Sequence, residues 1–538
     1  METKIIKVHP EDNVAVALAD LWKGENLSLG DLNLEVLTDV AAKHKISLVD
    51  LKEGDRIYMY GVLVGTATQL IRKGEVLTVN NVKHQAAQAH KKTETTGWNA
   101  PDVSKWKHRT FNGYHRPDGQ VGTKNVWLFF PLVFCENRNI ELLKEVFEKE
   151  LSFRKPSKEQ LLLRRLIQGE DSTSAVSVEE EENEIFDNIE VKFITHQGGC
   201  GGIRQDSASL ARLLAGYVNN PNVAGATVLS LGCQNLQIDI FKKALERINF
   251  NTAKPVLLFE QQQLGTVDEM MSKIISESYA AIREANEIRR KPASISKIKL
   301  GLECGGSDGF SGISANPALG YASDLLSAVG GSPILSEFPE LCGIEQELIN
   351  RCVNDELAER FLELTRAFEK SAIDAGSGFD MNPSPGNIKD GLITDAMKSA
   401  GAAKKGGTSP IQDVLDYGDY VTKPGLNLLC TPGNDVESTT AMVGAGANVV
   451  VFTTGLGTPT GNPVAPVIKV SSNTILARRM PDIIDIDAGG VIKAEKTIEE
   501  MGEEILEFII KVADGEIITK AEALNQDDFI PWKRGVSL

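Results

Sequence analysis

The feature that most constrains this chain is an apolar run leading straight into a glycine-rich polar turn, because it recurs five times. Residues 298–302 lead into Glu303, Cys304, Gly305, Gly306, Ser307 and Asp308. At the carboxyl end of a parallel strand, glycine permits positive φ and the close approach of a ligand, while polar side chains project into the crevice above the sheet. The run 191–194 leads in the same way into His196 and a Gly-Gly-Cys-Gly-Gly string at 198–202. Residues 226–229 lead into Gly232 and Cys233, 426–429 into Cys430, Asn434 and Asp435, and 448–452 into Gly455, Gly457 and Asn462. One such loop is an ordinary turn. Five at successive strand ends describe an α/β enzyme.

A length of 538 residues exceeds one ordinary core and implies two to four domains. The balance of 42% hydrophobic and 24% charged residues is that of a soluble globular chain, and no apolar run approaches the ~18 residues of a membrane span. Neither a membrane association nor a secretory leader is expected, so the chain reads as cytoplasmic. A formal charge of -17 argues against a nucleic-acid partner, which needs clustered Lys and Arg. A small anionic substrate is compatible with that charge where local cations and helix N-termini outweigh the overall field. Seven cysteines without a Cys-x-x-Cys pair suggest neither a disulfide framework nor a zinc ribbon. Cys135, Cys200, Cys233, Cys304 and Cys430 stand at or just beyond expected strand ends. Each fits either a small buried apolar role or a metal ligand.

Short apolar runs at 5–8, 14–18, 46–48, 56–64 and 75–79, separated by Gly or Asp turns, predict a small all-β domain within 1–95. A polar stretch at 82–108 reads as a linker, and 96–124 is linker and entry. Over 125–292, strands alternate with amphipathic helices at 207–218, 238–248 and 267–286, the succession of a parallel α/β domain. A charged insertion at 153–187, with Glu179, Glu180, Glu181 and Glu182, interrupts it. A second α/β domain is expected over 293–538. Its strands are predicted at 298–302, 333–335, 426–430, 448–452, 466–470 and 483–486, with long helices at 345–375 and 498–513.

Several strings carry a family resemblance: His-Pro-Glu-Asp-Asn at 9–13, Lys-His-Lys at 43–45, Glu-Cys-Gly-Gly-Ser-Asp at 303–308, Asn-Pro-Ser-Pro-Gly-Asn at 382–387, Pro-Gly-Asn-Asp at 432–435 and Gly-Val-Ser-Leu at 535–538. With them the chain resembles the altronate and galactarate dehydratase family of sugar-acid lyases over nearly its whole length. The resemblance implies a β-clip, antifreeze-like (SAF-like) amino-terminal domain and Rossmann-like parallel sheets in the rest. It implies removal of water from a hexonate such as D-altronate, with proton loss at C2, hydroxyl loss at C3 and relaxation to a 2-keto-3-deoxy acid. The partner is then a small-molecule sugar acid. Such chemistry needs a base, an acid and stabilisation of an enolate-like intermediate, and the family points to Fe2+, with Mn2+ as a substitute.

On that basis the expected catalytic residues are His44, His196, Glu303 and Asp308. The expected substrate contacts are Arg204, Ser307, Lys389, Asn387, Asn434 and Asp435, and the expected metal ligands are His44, His84, Cys200 and Cys304. The ordinary structural roles are turn formation and helix capping for Asp, and packing or solvation for His. The chain departs from its relatives at Thr-Val-Asn-Asn (78–81), where many carry His-x-His-Asn, at Ala402 for a cysteine, and at Leu456 for an arginine. Galactarate or another hydroxy acid is the alternative substrate. A catalytically silent sugar-acid-binding protein is the alternative of a different class. A homo-oligomer is compatible with all of these.

Overall fold

The computed structural model describes residues 4–30, 32–94, 96–151, 157–168, 185–249 and 254–538. Most of the expected charged insertion, including Glu179 to Glu182, lies outside the described residues. Its described part contains the helix Lys158–Gln168.

The amino-terminal region is β-rich. Ile5–Ile6, Val14–Ala17 and Lys45–Ser47 form one antiparallel sheet, Asn26–Leu29 and Leu32–Glu35 a hairpin, and Arg56–Met59, Val62–Ala67 and Val82–Lys83 another sheet. The strand expected over 56–64 is instead a hairpin. Tyr60 (φ 59°) and Gly61 (φ 77°) are both left-handed, as a two-residue turn matching the twist of its strands requires. No strand forms at 75–79: Val76 makes an isolated bridge to Ile46, and the Asn81 side chain closes a local turn by accepting from Thr78 N and donating to Val76 O. The polar linker is docked rather than loose. Trp106 is buried and His90 N donates to Gln346 of the carboxyl-terminal region.

The middle region is built on four parallel strands: β1 (Val126–Pro131), β2 (Glu190–Phe193), β3 (Val223–Ser230) and β4 (Val256–Glu260), in the order β2-β1-β3-β4. β1 and β3 are buried along their full length, which is why they read as continuous apolar runs.

The carboxyl-terminal sheet has seven parallel strands: β5 (Lys299–Cys304), β6 (Ser332–Leu335), β7 (Ile411–Leu415), β8 (Leu426–Leu429), β9 (Val449–Thr454), β10 (Val467–Ser471) and β11 (Ile486–Asp487). Their order is β7-β8-β6-β5-β9-β10-β11. The chain leaves β5 for β6 on one side, and β9 continues to β10 on the other. The strand order therefore reverses between β5 and β9, and a crevice opens beyond their carboxyl ends.

Strand β7 was not anticipated, and the helix expected over 345–375 is two, Glu345–Arg351 and Asp355–Asp374. Both differences have one cause. Cys352 bridges to Ile411 at the start of β7, and Asn354 then caps the second helix by accepting from Leu357 N at 2.9 Å.

The three regions share their cores. Val14, Ile57, Tyr60 and Val64 pack in one cluster with Phe310, Ile313 and Ala400, and Leu213 and Tyr217 of the middle region pack with Met442 and Val443. The β-rich region is thereby fixed against the loops that follow β5. No helix among the described residues is long and apolar enough to cross a membrane.

Candidate active site

Strand β5 ends in Glu303 and Cys304, both buried. Beside it, β6 runs on to Glu337, a non-glycine residue held left-handed at φ 62° and ψ 56°, from which the turn Phe338–Leu341 brings in Glu340. Backbone strain of this kind persists where the surroundings over-determine it. After β8, Asn434 caps the helix Asp435–Gly444, whose first turn carries Asp435 and Ser438. The helix Asp395–Ala402 and the turn after it supply Lys398 and Lys405. Four carboxyl groups, a thiol and two ammonium groups converge.

Lys405 Nζ donates to Glu337 Oε2, and Lys398 Nζ lies 2.6 Å from Glu340 Oε1. Ser438 Oγ donates to Glu303 Oε2 at 2.7 Å. Cys304 Sγ is 4.0 Å from Glu337 Oε2 and 3.8 Å from Glu340 Oε2. Burial, and then the charge of Glu337, hold the Glu303 carboxyl well above the usual carboxylate range. Asp435 is pushed up to about 7 by burial and by Glu337 and Glu340, against the opposing pull of Lys398 and Lys405. Asp435 reaches the end of β5 because residue 305 is glycine: a Cβ there would stand 2.0 Å from Asp435 Oδ2.

Asp308 lies one loop further on, fully buried, and is a junction. Its Oδ1 accepts from Phe310 N, Ser311 Oγ and Ser472 Oγ, and its Oδ2 from Asn473 Nδ2. Lys43 of the β-rich region, held at φ 76°, places its Nζ 3.0 Å from Asp308 Oδ2 and 2.7 Å from Asp390 Oδ1. Gly309 and Gly391 make room for this contact, since a Cβ on either would meet Lys43 O at 2.2 or 2.4 Å. His44 accompanies Lys43, its Nε2 hydrogen-bonded to Lys389 O at 3.0 Å. The β-rich region thus reaches the loops after β5, with Lys43 rather than His44 making the ionic contact.

The sequence matches three family descriptions in order: the Altronate/galactarate dehydratase SAF domain over residues 3–85, the D-galactarate dehydratase/Altronate hydrolase second domain over 113–286, and the D-galactarate/Altronate dehydratase C-terminal region over 295–537. It is 35% identical over 537 residues to an altronate dehydratase of Bacillus subtilis (strain 168), covering 99% of each chain. The chain belongs to the altronate/galactarate dehydratase family. It is also 33% identical over 556 residues to an altronate dehydratase of Escherichia coli (strain K12), with 99% of each chain covered. A galactarate dehydratase (L-threo-forming) of the same organism is 32% identical over 517 residues, covering 95% of this chain and 92% of that one. The protein is accordingly a hydro-lyase, and the silent-binder alternative falls away.

Within this dehydratase the expected site residues divide. Glu303, Cys304 and Asp435 come together, and Ser307 is beside them with its buried Oγ lacking a hydrogen-bond partner. Asn387 is occupied structurally: its Nδ2 holds Ser307 O at 2.7 Å and its Oδ1 closes a capping box with Ser384. Asn434 is likewise committed to capping, accepting from Val436 N and Glu437 N. Lys389 is exposed, and its backbone oxygen is the part that meets His44.

His196, Cys200 and Arg204 belong to the middle region, on the loop after β2 and the helix Arg204–Asn219. His196 is buried with both ring nitrogens engaged, Nε2 with Pro131 O at 2.7 Å and Nδ1 with Gly198 N at 3.1 Å. Burial lowers its pKa to about 4. That is a neutral imidazole pinning a loop, in place of the acid/base role expected for it. Arg204 is exposed, and among the described residues it makes no contact with the acidic cluster. The four expected metal ligands do not converge: His44, His84, Cys200 and Cys304 occupy four separate places, with His84 Nδ1 3.4 Å from Ala396 N.

Sequence reasoning missed Glu337, Glu340, Lys398 and Lys405. The first two were findable, because Ser336-Glu-Phe-Pro-Glu340 follows an anticipated strand just as Glu303 does. The lysines sit on a helix and a turn whose facing direction depends on tertiary packing, and no local pattern marks them.

Proposed function

We propose that this chain dehydrates a hexonate of the altronate type in the crevice beyond β5 and β6. The observation that carries the reading is the cluster of buried Glu303, Glu337, Glu340 and Lys405 with the half-buried Asp435 and Lys398. Full-length similarity to two altronate dehydratases supports altronate over galactarate, whose relative is covered less completely.

Charge in the cluster is unbalanced. Four carboxyl groups stand against two ammonium groups, which leaves two negative charges if all are ionised, and Glu303 shares a side-chain hydrogen bond with Glu337. Either protons or a divalent cation satisfies such a nest. Cys304 Sγ, Glu337 and Glu340 offer ligand atoms within 4.8 Å of one another, a thiol and carboxylate set that suits Fe2+ or Mn2+. A bound cation would there polarise the substrate carboxylate and stabilise negative charge developing at C2.

The chain's own groups supply the proton transfers. Asp435, poised near neutrality at the half-buried rim, is suited to take the C2 proton. Burial and the neighbouring Glu337 keep one proton in the cluster. The fully buried Glu303 retains it and donates it to the departing C3 hydroxyl. Lys398 and Lys405 hold Glu340 and Glu337 in place, and the unpartnered Ser307 Oγ is available to a sugar hydroxyl. The finer fold names, a β-clip amino-terminal domain and Rossmann-like sheets, belong to this same reading.

Anaerobic incubation with D-altronate, with Fe2+, with Mn2+ and with chelator, tests it by following the 2-keto-3-deoxy acid. Metal-dependent product from altronate is expected. Product from galactarate alone would overturn the substrate, and no product from either with any metal would overturn the reaction.

A further inference from the structure

A second group of ligand-type side chains lies where the β-rich region hands over to the linker. His84 directly follows the strand Val82–Lys83, Cys342 follows the turn Phe338–Leu341, and Asp395 opens the helix Asp395–Ala402. One ligand atom from each lies within 4.8 Å of the others. Three segments far apart in sequence thus present an imidazole, a thiol and a carboxylate at one point.

Burial and charge set the chemistry of this point. Asp395 is 1% exposed, and its carboxylate is held by the Cys342 thiol and by a long 3.4 Å contact from Ser399 Oγ. A buried carboxylate is costly unless it meets donors or a cation, and a divalent ion entering here would take the place of the thiol proton. The surroundings favour a cation, because Glu345 and Glu369 also face Cys342. Lys398, the neighbouring ammonium, is committed to Glu340 and Asn382. His84 Nδ1 accepts from Ala396 N at 3.4 Å, which sets the ring against the start of the same helix.

We propose that His84, Cys342 and Asp395 form a binding site for a borderline divalent transition metal, distinct from the acidic cluster at Glu303, that clips the exit of the β-rich region to the carboxyl-terminal domain. Mixed nitrogen, sulfur and oxygen donors select zinc-like or ferrous ions over Mg2+ or Ca2+. Because its ligands span two regions, the ion contributes to their docking as well as to the stability of each. The site does not depend on the proposed reaction.

The test is anaerobic Co2+ titration of the chelator-treated full chain carrying Cys304→Ser, which removes the thiol of the acidic cluster. A thiolate-to-cobalt charge-transfer band in the near ultraviolet is expected, saturating near one equivalent. Adding Cys342→Ser should abolish it, and His84→Ala, at a half-buried position where folding is less at risk, should weaken Co2+ binding at least tenfold. A band that never forms, or one that survives Cys342→Ser or is indifferent to His84→Ala, would overturn the site. Turnover of altronate is not needed for any of these readings.

Discussion

At the residue scale, burial shifts the titration of His196 and Asp435 in opposite directions. Folding lowers the His196 pKa from its ordinary 6.5 to about 4, so the unfolded chain takes up that proton first. The stabilisation from neutral His196 is therefore complete above about pH 6.5 and is lost as pH falls toward 4, to the extent of about 3 kcal/mol. Denaturant unfolding at stepped pH should show this acid-side loss shrinking in His196→Gln relative to wild type; identical pH profiles would contradict it. Asp435 gives the opposite kind of prediction. Its carboxyl, raised to about 7, must lose its proton when a cation enters the cluster, so Mn2+ affinity should rise with pH, by up to about tenfold per pH unit below 7. Equilibrium dialysis between pH 5.5 and 8 measures this, and Asp435→Asn should flatten the dependence. Of the residues concerned, Glu303 and Asp435 were legible because they sit at strand ends. His196 misled for the same reason: a strand-end histidine in a glycine loop looks alike whether it faces a ligand or pins its own loop.

At the element scale, the decisive contact is the docking of the Lys43 turn onto the loops carrying Gly309 and Gly391. Positive φ at Lys43 and the open glycines opposite it are two halves of one fit. Gly391 has φ 93° and no space for a Cβ, so Gly391→Ala should destabilise this junction by about 1–3 kcal/mol. Limited proteolysis should then cut faster within 86–109 while the carboxyl-terminal domain stays intact; an unchanged cleavage rate would show that the junction tolerates the change. Buried strands such as β1, β3 and β9 were readable because full burial writes a continuous apolar run. The Tyr60 hairpin and the interrupted helix at 352–354 were not: Tyr60 and Gly61 at the hairpin's turn lie inside one largely apolar run, and the helix break depends on the bridge from Cys352 to Ile411, distant in sequence.

At the scale of the whole molecule, a net charge of -17 surrounds the proposed site for an anionic substrate, and the proposed chemistry answers that conflict locally. In the proposed reaction Lys398, Lys405 and a divalent cation would offset the carboxylates of the cluster. The strand-order reversal between β5 and β9 places the crevice, and the merged cores of the three regions hold its walls. The α/β architecture and the family were open to a reader of the sequence, because strand ends and motif strings are local. The lysine partners and the assembled cluster were not, because they exist only once β5, β6 and the helix Asp395–Ala402 have packed.

The central claim is that water is eliminated at this cluster with Glu303 as the proton donor. It is tested most directly by anaerobic, Fe2+-supported turnover of D-altronate by Glu303→Gln, an isosteric change that keeps an acceptor for Ser438. The account predicts a fall in kcat of about 100-fold or more with an unchanged unfolding midpoint. Wild-type turnover by Glu303→Gln would contradict it.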